Sequence, residues 1–237
     1  MTKNNTTKIV GHRGAAGLQP ENTLPGFLLA KRLGVDAIEL DVRLTRDNQF
    51  VVCHNDRVRL SNGTHGRVSK QTYGELTVSL LSNGHRLLLL QEVLAAVPNI
   101  PIVLDLKIDH GISELSRLLE TYDNEFTFVT HRNRVVRECK RLRPDIPAFV
   151  GRHYSPVGLM RSIRIHDADG INLNYIWLNP LTYYAAQKLG LQIQVYTVNN
   201  VTVARLLQRF YPGIWICTDR PDLLIRSLRS KPIYSVE

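Results

Sequence analysis

The sequence has few cysteines and none of the patterns in which cysteines commonly do chemistry. Its 237 residues include only Cys53, Cys139 and Cys217. This odd number, with long separations, gives neither a CxxC motif nor a disulfide framework. Each cysteine lies within an apolar stretch, so we expect all three to pack in the core.

Long apolar segments are also missing. No run approaches the roughly 18 apolar residues that indicate a membrane-spanning helix. The polar first ten residues, MTKNNTTKIV, lack the apolar stretch of a signal peptide. The sequence therefore predicts no transmembrane segment, and we expect a cytoplasmic protein with reduced cysteines.

The charge is unbalanced but not concentrated. The formal net charge is +9, from 30 Lys and Arg against 21 Asp and Glu. A basic chain invites a nucleic-acid interpretation. However, the cations are scattered over several helix-like segments, such as Arg134 to Arg143 and Arg205 to Arg209, and no nucleic-acid-binding motif accompanies them. We interpret them as solvated helix faces and predict no nucleic-acid partner.

Strand-like and helix-like patterns alternate along the chain. Thr23 is a candidate N-cap for a helix over 24–33, with Pro25 in its first turn and Gly34 at its end. The predicted strands cover 8–11, 36–42, 49–53, 101–106, 126–130, 147–151, 169–173, 192–197 and 213–217, and the other predicted helices cover 112–122, 133–142 and 201–210. Alternation without repeats indicates one parallel sheet. Eight βα units, with one extra strand set aside, favour an α/β fold of the TIM (β/α)8 barrel type over an open, doubly wound sheet.

The segment 55–86 interrupts this alternation. It is rich in Asn, Gly, Ser and Thr, and it follows the hairpin-like strand 49–53. Its apolar residues are too few for a core of its own. We therefore interpret it as an insertion at the catalytic end of a single domain covering 1–237.

Two carboxylates alternate with aliphatic residues in the predicted second strand. Glu39 and Asp41 point to the same side, roughly 6–7 Å apart along the strand. Carboxylates inside a barrel carry a large desolvation cost, which a hard divalent cation such as Mg²⁺ or Ca²⁺ removes. The alternative is a solvent-exposed face at a sheet edge.

Asp105 and Lys107 repeat this spacing in the next barrel strand. Asp105 is a candidate third metal ligand, and Lys107 is a candidate for holding a phosphate or balancing the carboxylates. The alternative is a buried salt bridge between the two.

Two histidines also follow apolar strands. His12 precedes Arg13 and a run of small residues, 14–17, which we expect to allow close approach of the backbone to a ligand. Arg13 offers a fork suited to phosphate oxygens. A lone histidine at such a place is often structural, but His12 and His54 flanking a carboxylate pair indicate an acid/base pair. We interpret the remaining histidines, 65, 85, 110, 131, 153 and 166, as surface or loop groups.

All these groups lie at or just past the ends of strands, where a parallel barrel places its chemistry. The sequence therefore predicts an enzyme that performs a metal-assisted reaction on an anionic substrate.

The ordered series of motifs resembles the glycerophosphodiester phosphodiesterase family, from about residue 8 to 225. The matching segments are His12-Arg13-Gly14, Pro20-Glu21-Asn22-Thr23, Glu39-Leu40-Asp41-Val42, His54, Leu104-Asp105-Leu106-Lys107, Val195-Tyr196-Thr197-Val198-Asn199 and Thr218-Asp219-Arg220-Pro221. The resemblance implies a TIM barrel that hydrolyses small-molecule glycerophosphodiesters to sn-glycerol 3-phosphate and an alcohol, with one divalent cation, Mg²⁺ or Ca²⁺.

The resemblance also implies a role for each matched residue. It assigns metal binding to Glu39, Asp41 and Asp105, proton acceptance to His12, proton donation to His54, phosphate contact to Arg13 and Lys107, and a border of the glycerol site to Tyr196. The chain departs from the family pattern at three places. Asp105 replaces the usual Glu, Asn55 replaces the Asp that usually follows the second histidine, and Leu60-Ser61 replaces an Arg-Thr pair.

Two other functions fit parts of the sequence. A lysophospholipase D-like enzyme acting on lysophospholipids or sphingomyelin would need an apolar surface for an acyl chain near 55–86. That segment is mostly polar, with Leu76, Val78, Leu80 and Leu81 as exceptions. A catalytically silent binding module would have lost a histidine or a carboxylate, and all are present.

Overall fold

A computed structural model describes residues 6–78, 80–151 and 168–229, and its centre is a closed parallel barrel. The strands are β1 (Lys8–Gly11), β2 (Ala37–Leu44), β3 (Phe50–Val52), β4 (Arg57–Arg59), β5 (His65–Arg67), β6 (Leu88–Leu89), β7 (Ile102–Leu106), β8 (Phe126–Thr130), β9 (Ala148–Gly151), β10 (Gly170–Asn174), β11 (Gln192–Tyr196) and β12 (Trp215–Thr218). Strands β1, β2 and β7 to β12 pair in parallel around the barrel, and β1 closes it by pairing with both β2 and β12. The predicted TIM barrel is confirmed, and the open sheet is wrong.

Helices cover the outside of this barrel. Their bounds are α1 (Leu24–Leu33), α2 (Tyr73–Thr77), α3 (Leu90–Ala96), α4 (Ile112–Leu119), α5 (Asn133–Leu142), α6 (Pro180–Lys188), α7 (Val201–Phe210) and α8 (Pro221–Leu228). The Thr23 side chain accepts a hydrogen bond from the Gly26 amide, and Gly34 ends α1 with φ of 80°, as the sequence predicts. None of the helices in the described ranges is long and apolar enough to span a membrane.

The bounds of α1, α5 and α7 match the predicted ones, whereas the helix predicted over 112–122 ends three residues early. The amides of Thr121 and Tyr122 bond to the carbonyls of Leu118 and Leu119. These bonds span three residues rather than four, so the chain tightens into a turn after Leu119.

The barrel interior is packed at its amino-terminal end and polar at its carboxyl end. Val10, Ala37, Val103, Val129, Phe149 and Cys217 form an apolar cluster inside the barrel, and the rings of Phe149 and Trp215 lie 5.5 Å apart. This cluster forms the floor beneath the polar groups. The three cysteines are free and buried, which confirms that they pack in apolar surroundings.

An antiparallel extension carries the insertion. Strand β3 pairs with the carboxyl end of β2, and β6 pairs with β3. Strands β4 and β5 form a hairpin, followed by α2. The buried insertion residues Val58, Leu60, Val68 and Leu76 pack with Val51, Cys53 and Leu87, so β3 and the residue before β6 complete the insertion's apolar cluster. The insertion begins after β3, which pairs with the carboxyl end of β2, so it lies beside the carboxyl ends of the barrel strands.

Candidate active site

A cavity of about 400 Å³ opens at the carboxyl ends of the strands, and all the predicted site residues line it. They are His12, Arg13, Glu39, Asp41, His54, Asp105, Lys107 and Tyr196. His12 follows β1, Lys107 follows β7 and Tyr196 ends β11. Residues up to 184 positions apart in sequence therefore share one wall, because parallel strands end on the same side.

The three carboxylates converge inside the barrel. Asp41 on β2 is paired with Asp105 on β7, and Glu39 lies two residues before Asp41 on the same face. One carboxylate oxygen of each residue lies within 4.8 Å of the others. The residues are buried, with exposed fractions of 5% for Glu39, 1% for Asp41 and 8% for Asp105. The solvent-exposed alternative for Glu39 and Asp41 is wrong.

Their charges are unequally balanced. Burial and the neighbouring Asp41 raise the pKa of Glu39 to about 7. Burial also opposes ionisation of Asp41, but Lys107 and Arg13 outweigh it and lower the pKa of the Asp41 carboxyl. Among the described residues Glu39 forms no salt bridge with either cation, so its carboxylate lacks a full countercharge. A cation between these oxygens would supply it.

Lys107 bridges two of the carboxylates. Its Nζ lies 2.6 Å from Asp105 Oδ2 and 3.3 Å from Asp41 Oδ1. The salt bridge predicted as an alternative is therefore present. The other Asp105 oxygen, Oδ1, is buried and has no hydrogen-bond partner. An orphaned carboxylate oxygen beside Glu39 and Asp41 suits a metal ligand as well, so the two interpretations of Asp105 are compatible.

Arg13 is held by its backbone and its side chain. Its amide donates to Glu39 Oε2 at 2.8 Å, and its guanidinium makes ion pairs with Glu21 at 2.5 Å and Asp41 at 3.1 Å. Arg13 and Gly14 both have positive φ, 48° and 89°. A Cβ on Gly14 would lie 2.7 Å from the carbonyl carbon of Gly26. The absence of a Cβ at Gly14 is therefore required by the contact with α1, and close approach of the backbone to a ligand stays a prediction.

His12 is oriented by a residue that the sequence interpretation left without a role. Its Nδ1 lies 2.6 Å from Asp219 Oδ1, and Asn199 fixes Asp219 by donating from Nδ2 to Oδ2 at 2.7 Å and accepting from the Asp219 amide at 2.9 Å. Burial alone would lower the pKa of His12, but the hydrogen bond to Asp219 and the charge of Glu39 outweigh it and raise that pKa. With Nδ1 engaged, Nε2 is the nitrogen left for a substrate.

His54 lies on the loop after β3 and lines the same cavity as the carboxylates. Arg43 donates to the His54 carbonyl from Nε at 2.9 Å and from Nη2 at 2.8 Å, which fixes the backbone. The ring Nδ1 lies 3.0 Å from Asn55 Oδ1. Where the family pattern has Asp, the ring here has a neutral amide as its partner.

The cavity also has lining residues that the sequence interpretation missed. They are Val129, His131, Asn172, Asn174, Gln194, Thr197 and Cys217. His131 is indeed on a loop, directly after β8, but it faces the cavity; His153 and His166 lie outside the described residues. Asn172 and Gln194 each have a buried oxygen without a hydrogen-bond partner. Two-residue alternation with Tyr196 was the signal that could have found Gln194.

Together, the barrel and its carboxyl-end cavity define an enzyme active site of the TIM-barrel type. Residues 12–149 match the sequence profile of the Glycerophosphoryl diester phosphodiesterase family. The chain is 35% identical to the putative glycerophosphodiester phosphodiesterase YhdW of Bacillus subtilis, over 92% of this chain and 96% of that protein. It is 33% identical to the human lysophospholipase D GDPD1, over 60% of this chain and 50% of that protein.

A solved structure shares the fold. It is that of an Oleispira antarctica phosphodiesterase in complex with the product sn-glycerol-3-phosphate, with a TM-score of 0.84 at 21% identity over 94% of this chain and 97% of that one. The chain belongs to the glycerophosphoryl diester phosphodiesterase family. It is an enzyme of the phosphoric diester hydrolase class.

Proposed function

We propose that this enzyme is a metal-dependent glycerophosphodiester phosphodiesterase, which releases sn-glycerol 3-phosphate and an alcohol. The observation that carries the proposal is the convergence of Glu39, Asp41 and Asp105 with His12 and His54 in one cavity. A coupled assay for sn-glycerol 3-phosphate, with glycerophosphodiesters and Mg²⁺ or Ca²⁺, tests it. The cytoplasmic location, the lack of a nucleic-acid partner and the single-domain organisation stay predictions.

The carboxylates fit a hard divalent cation. Glu39, Asp41 and Asp105 would hold it, and the support is the orphaned Asp105 Oδ1 and the incomplete countercharge at Glu39. Oxygen ligands are those that Mg²⁺ and Ca²⁺ prefer. When bound, such a cation neutralises charge on the phosphoryl oxygens.

The histidines divide the proton transfers. His12, held by Asp219, accepts a proton at Nε2 from the attacking nucleophile, either water or the 2-hydroxyl of the glycerol, and His54 donates a proton to the departing alkoxide. Lys107 and Arg13 add positive charge for the phosphate, although both already contact carboxylates. Tyr196 borders the position of the glycerol.

Asp105→Asn is expected to raise the metal concentration needed for half-maximal activity, because the orphaned oxygen loses its charge. Asp105→Glu, which restores the family's usual side chain, is expected to leave that concentration equal or lower. Titrating metal into metal-stripped enzyme measures both. An unchanged metal requirement in Asp105→Asn would reduce Asp105 to a salt-bridge partner of Lys107.

Asp219→Asn is expected to lower the plateau of kcat/KM and to move its acidic limb to lower pH. Asp219 raises the pKa of His12, so its loss lets His12 become neutral at lower pH, and a general base acts in its neutral form. The pH profile of kcat/KM measures the shift. An acidic limb at unchanged pH would show that the ionisation of His12 does not produce this limb of the kcat/KM profile.

One observation favours a second activity, on lysophospholipids. The side chains of Val78 and Leu80 on the insertion are 77% and 47% exposed, and they could contact an acyl chain. Leu76, by contrast, is buried in the insertion's cluster and contributes nothing to such a surface. Assaying a lysophospholipid beside glycerophosphocholine, glycerophosphoethanolamine and glycerophosphoglycerol tests this activity. The Val78→Ser variant should have lower activity on the lysophospholipid and unchanged activity on the three glycerophosphodiesters.

A further inference from the structure

A second cavity adjoins the catalytic one at His54. Its volume is about 420 Å³, and His54 lines both cavities. Its wall consists of Glu21, Asn22, Val52, Cys53, His54, Asn55, Arg57, Val58, Arg59, His65, Leu81, Ser82 and Asn83. Two of these residues contact the catalytic cavity's own residues, since Glu21 pairs with Arg13 and Asn22 donates to Asp41.

The β4–β5 hairpin gives this cavity a basic wall. Arg59 is paired with His65 across the hairpin, and Arg57 with Arg67. Val58 and Gly66 alternate with them and are buried, so the basic side chains share the exposed face.

These charges are available to a ligand. Across the described ranges, Arg57 and Arg59 take part in no ion pair, in contrast to Arg13, Arg43 and Lys107, which all have protein partners. Glu21 is the only carboxylate on the wall among the described residues, against the two cations Arg57 and Arg59. The cavity is therefore net positive.

We propose that this second cavity receives the alcohol part of the diester and selects leaving groups that carry a negative charge, such as a second phosphate. The inference rests on the proposed function, in which His54 protonates the leaving oxygen. That oxygen must lie within hydrogen-bond reach of His54. The remainder of the alcohol then extends past His54, away from the carboxylates, toward Arg57 and Arg59.

The test compares three diesters of sn-glycerol 3-phosphate whose alcohols differ in charge. They are glycerophosphoglycerol phosphate (anionic), glycerophosphoglycerol (neutral) and glycerophosphocholine (cationic). Loss of diester is followed by ³¹P NMR with Mg²⁺ or Ca²⁺ present. We expect kcat/KM for the anionic diester to exceed that for the neutral one by about fivefold, the scale of two exposed ion pairs. We expect glycerophosphocholine to have the lowest kcat/KM of the three.

The double variant Arg57→Gln/Arg59→Gln is expected to bring the anionic-to-neutral ratio of kcat/KM close to one. The matched control is Arg205→Gln/Arg209→Gln on α7, where both arginines are exposed and neither lines the cavity. It removes the same charge and is expected to keep the ratio of the unmodified enzyme. Circular dichroism verifies that both variants fold.

Each outcome has one meaning. An unmodified enzyme that cleaves all three diesters equally, or a ratio unaffected by Arg57→Gln/Arg59→Gln, overturns the inference but leaves the proposed function standing. An equal fall of the ratio in both double variants overturns it too, because the net charge of the protein would then explain the preference. If none of the diesters is cleaved, the proposed function itself fails.

Discussion

Removing divalent cations with EDTA is expected to reduce turnover to background, and Mg²⁺ or Ca²⁺ is expected to restore it. The reason is the buried trio of Glu39, Asp41 and Asp105, whose oxygens lie within 4.8 Å of one another. Lys107 and Arg13 lower the pKa of Asp41, whereas burial and the charge of Asp41 raise the pKa of Glu39 to about 7. Without a bound cation, the site lacks the positive charge that is needed to bind an anionic phosphodiester beside these carboxylates.

Stability gives a second measurement that does not depend on activity. Because the pKa of Glu39 is raised in the folded protein, the metal-free protein is expected to lose stability as the pH rises from about 4.5, its ordinary pKa, through about 7. A bound cation should reverse this loss and raise the melting temperature progressively as the free cation concentration increases above its Kd. It should also release protons near neutral pH when it binds.

The control is Glu39→Gln, which keeps the shape of the side chain and removes its charge. This variant should show weaker metal-induced stabilisation and no proton release from position 39. Full turnover by metal-stripped enzyme, or equal stabilisation of Glu39→Gln and the unmodified enzyme, would contradict a metal site at these carboxylates.

The barrel could be predicted because its signals are local. Helix α1 begins and ends at local signals, the N-cap Thr23, Pro25 in the first turn and Gly34 at the end, which act within a few residues. Each barrel strand is a short apolar run. The facing of Glu39 and Asp41 follows from alternation alone. Their convergence with Asp105 follows from the parallel pairing of β2 and β7.

The contacts that could not be predicted join distant parts of the chain. His12 and Asp219 are 207 residues apart, and they meet only because β1 and β12 close the barrel. The rule that identified Asp105, a carboxylate at a strand end, applies equally to Asp219. Spacing alone, however, does not show which histidine such a carboxylate contacts. The same limit applies to the basic hairpin, whose relation to His54 depends on how the insertion folds.

His12→Ala and His54→Ala are each expected to lower kcat by roughly 10²–10⁴-fold, the usual effect of removing a general base or acid. Both side chains line the cavity and lie outside the apolar clusters. The variants should therefore fold, which circular dichroism can verify. The coupled sn-glycerol 3-phosphate assay measures the loss. Near-normal turnover in either folded variant would remove that histidine from the mechanism.

A diester with an activated leaving group distinguishes the two roles. Nitrophenolate departs near neutral pH without receiving a proton, so the glycerophosphate ester of 4-nitrophenol does not need a general acid. We expect His54→Ala to regain most of its activity on this ester, and His12→Ala to stay impaired because the attacking nucleophile still needs a base. The reverse pattern would exchange the two assignments. Equal impairment on both kinds of ester would indicate that His54 acts by binding the phosphate, since a binding contact is needed whatever group departs.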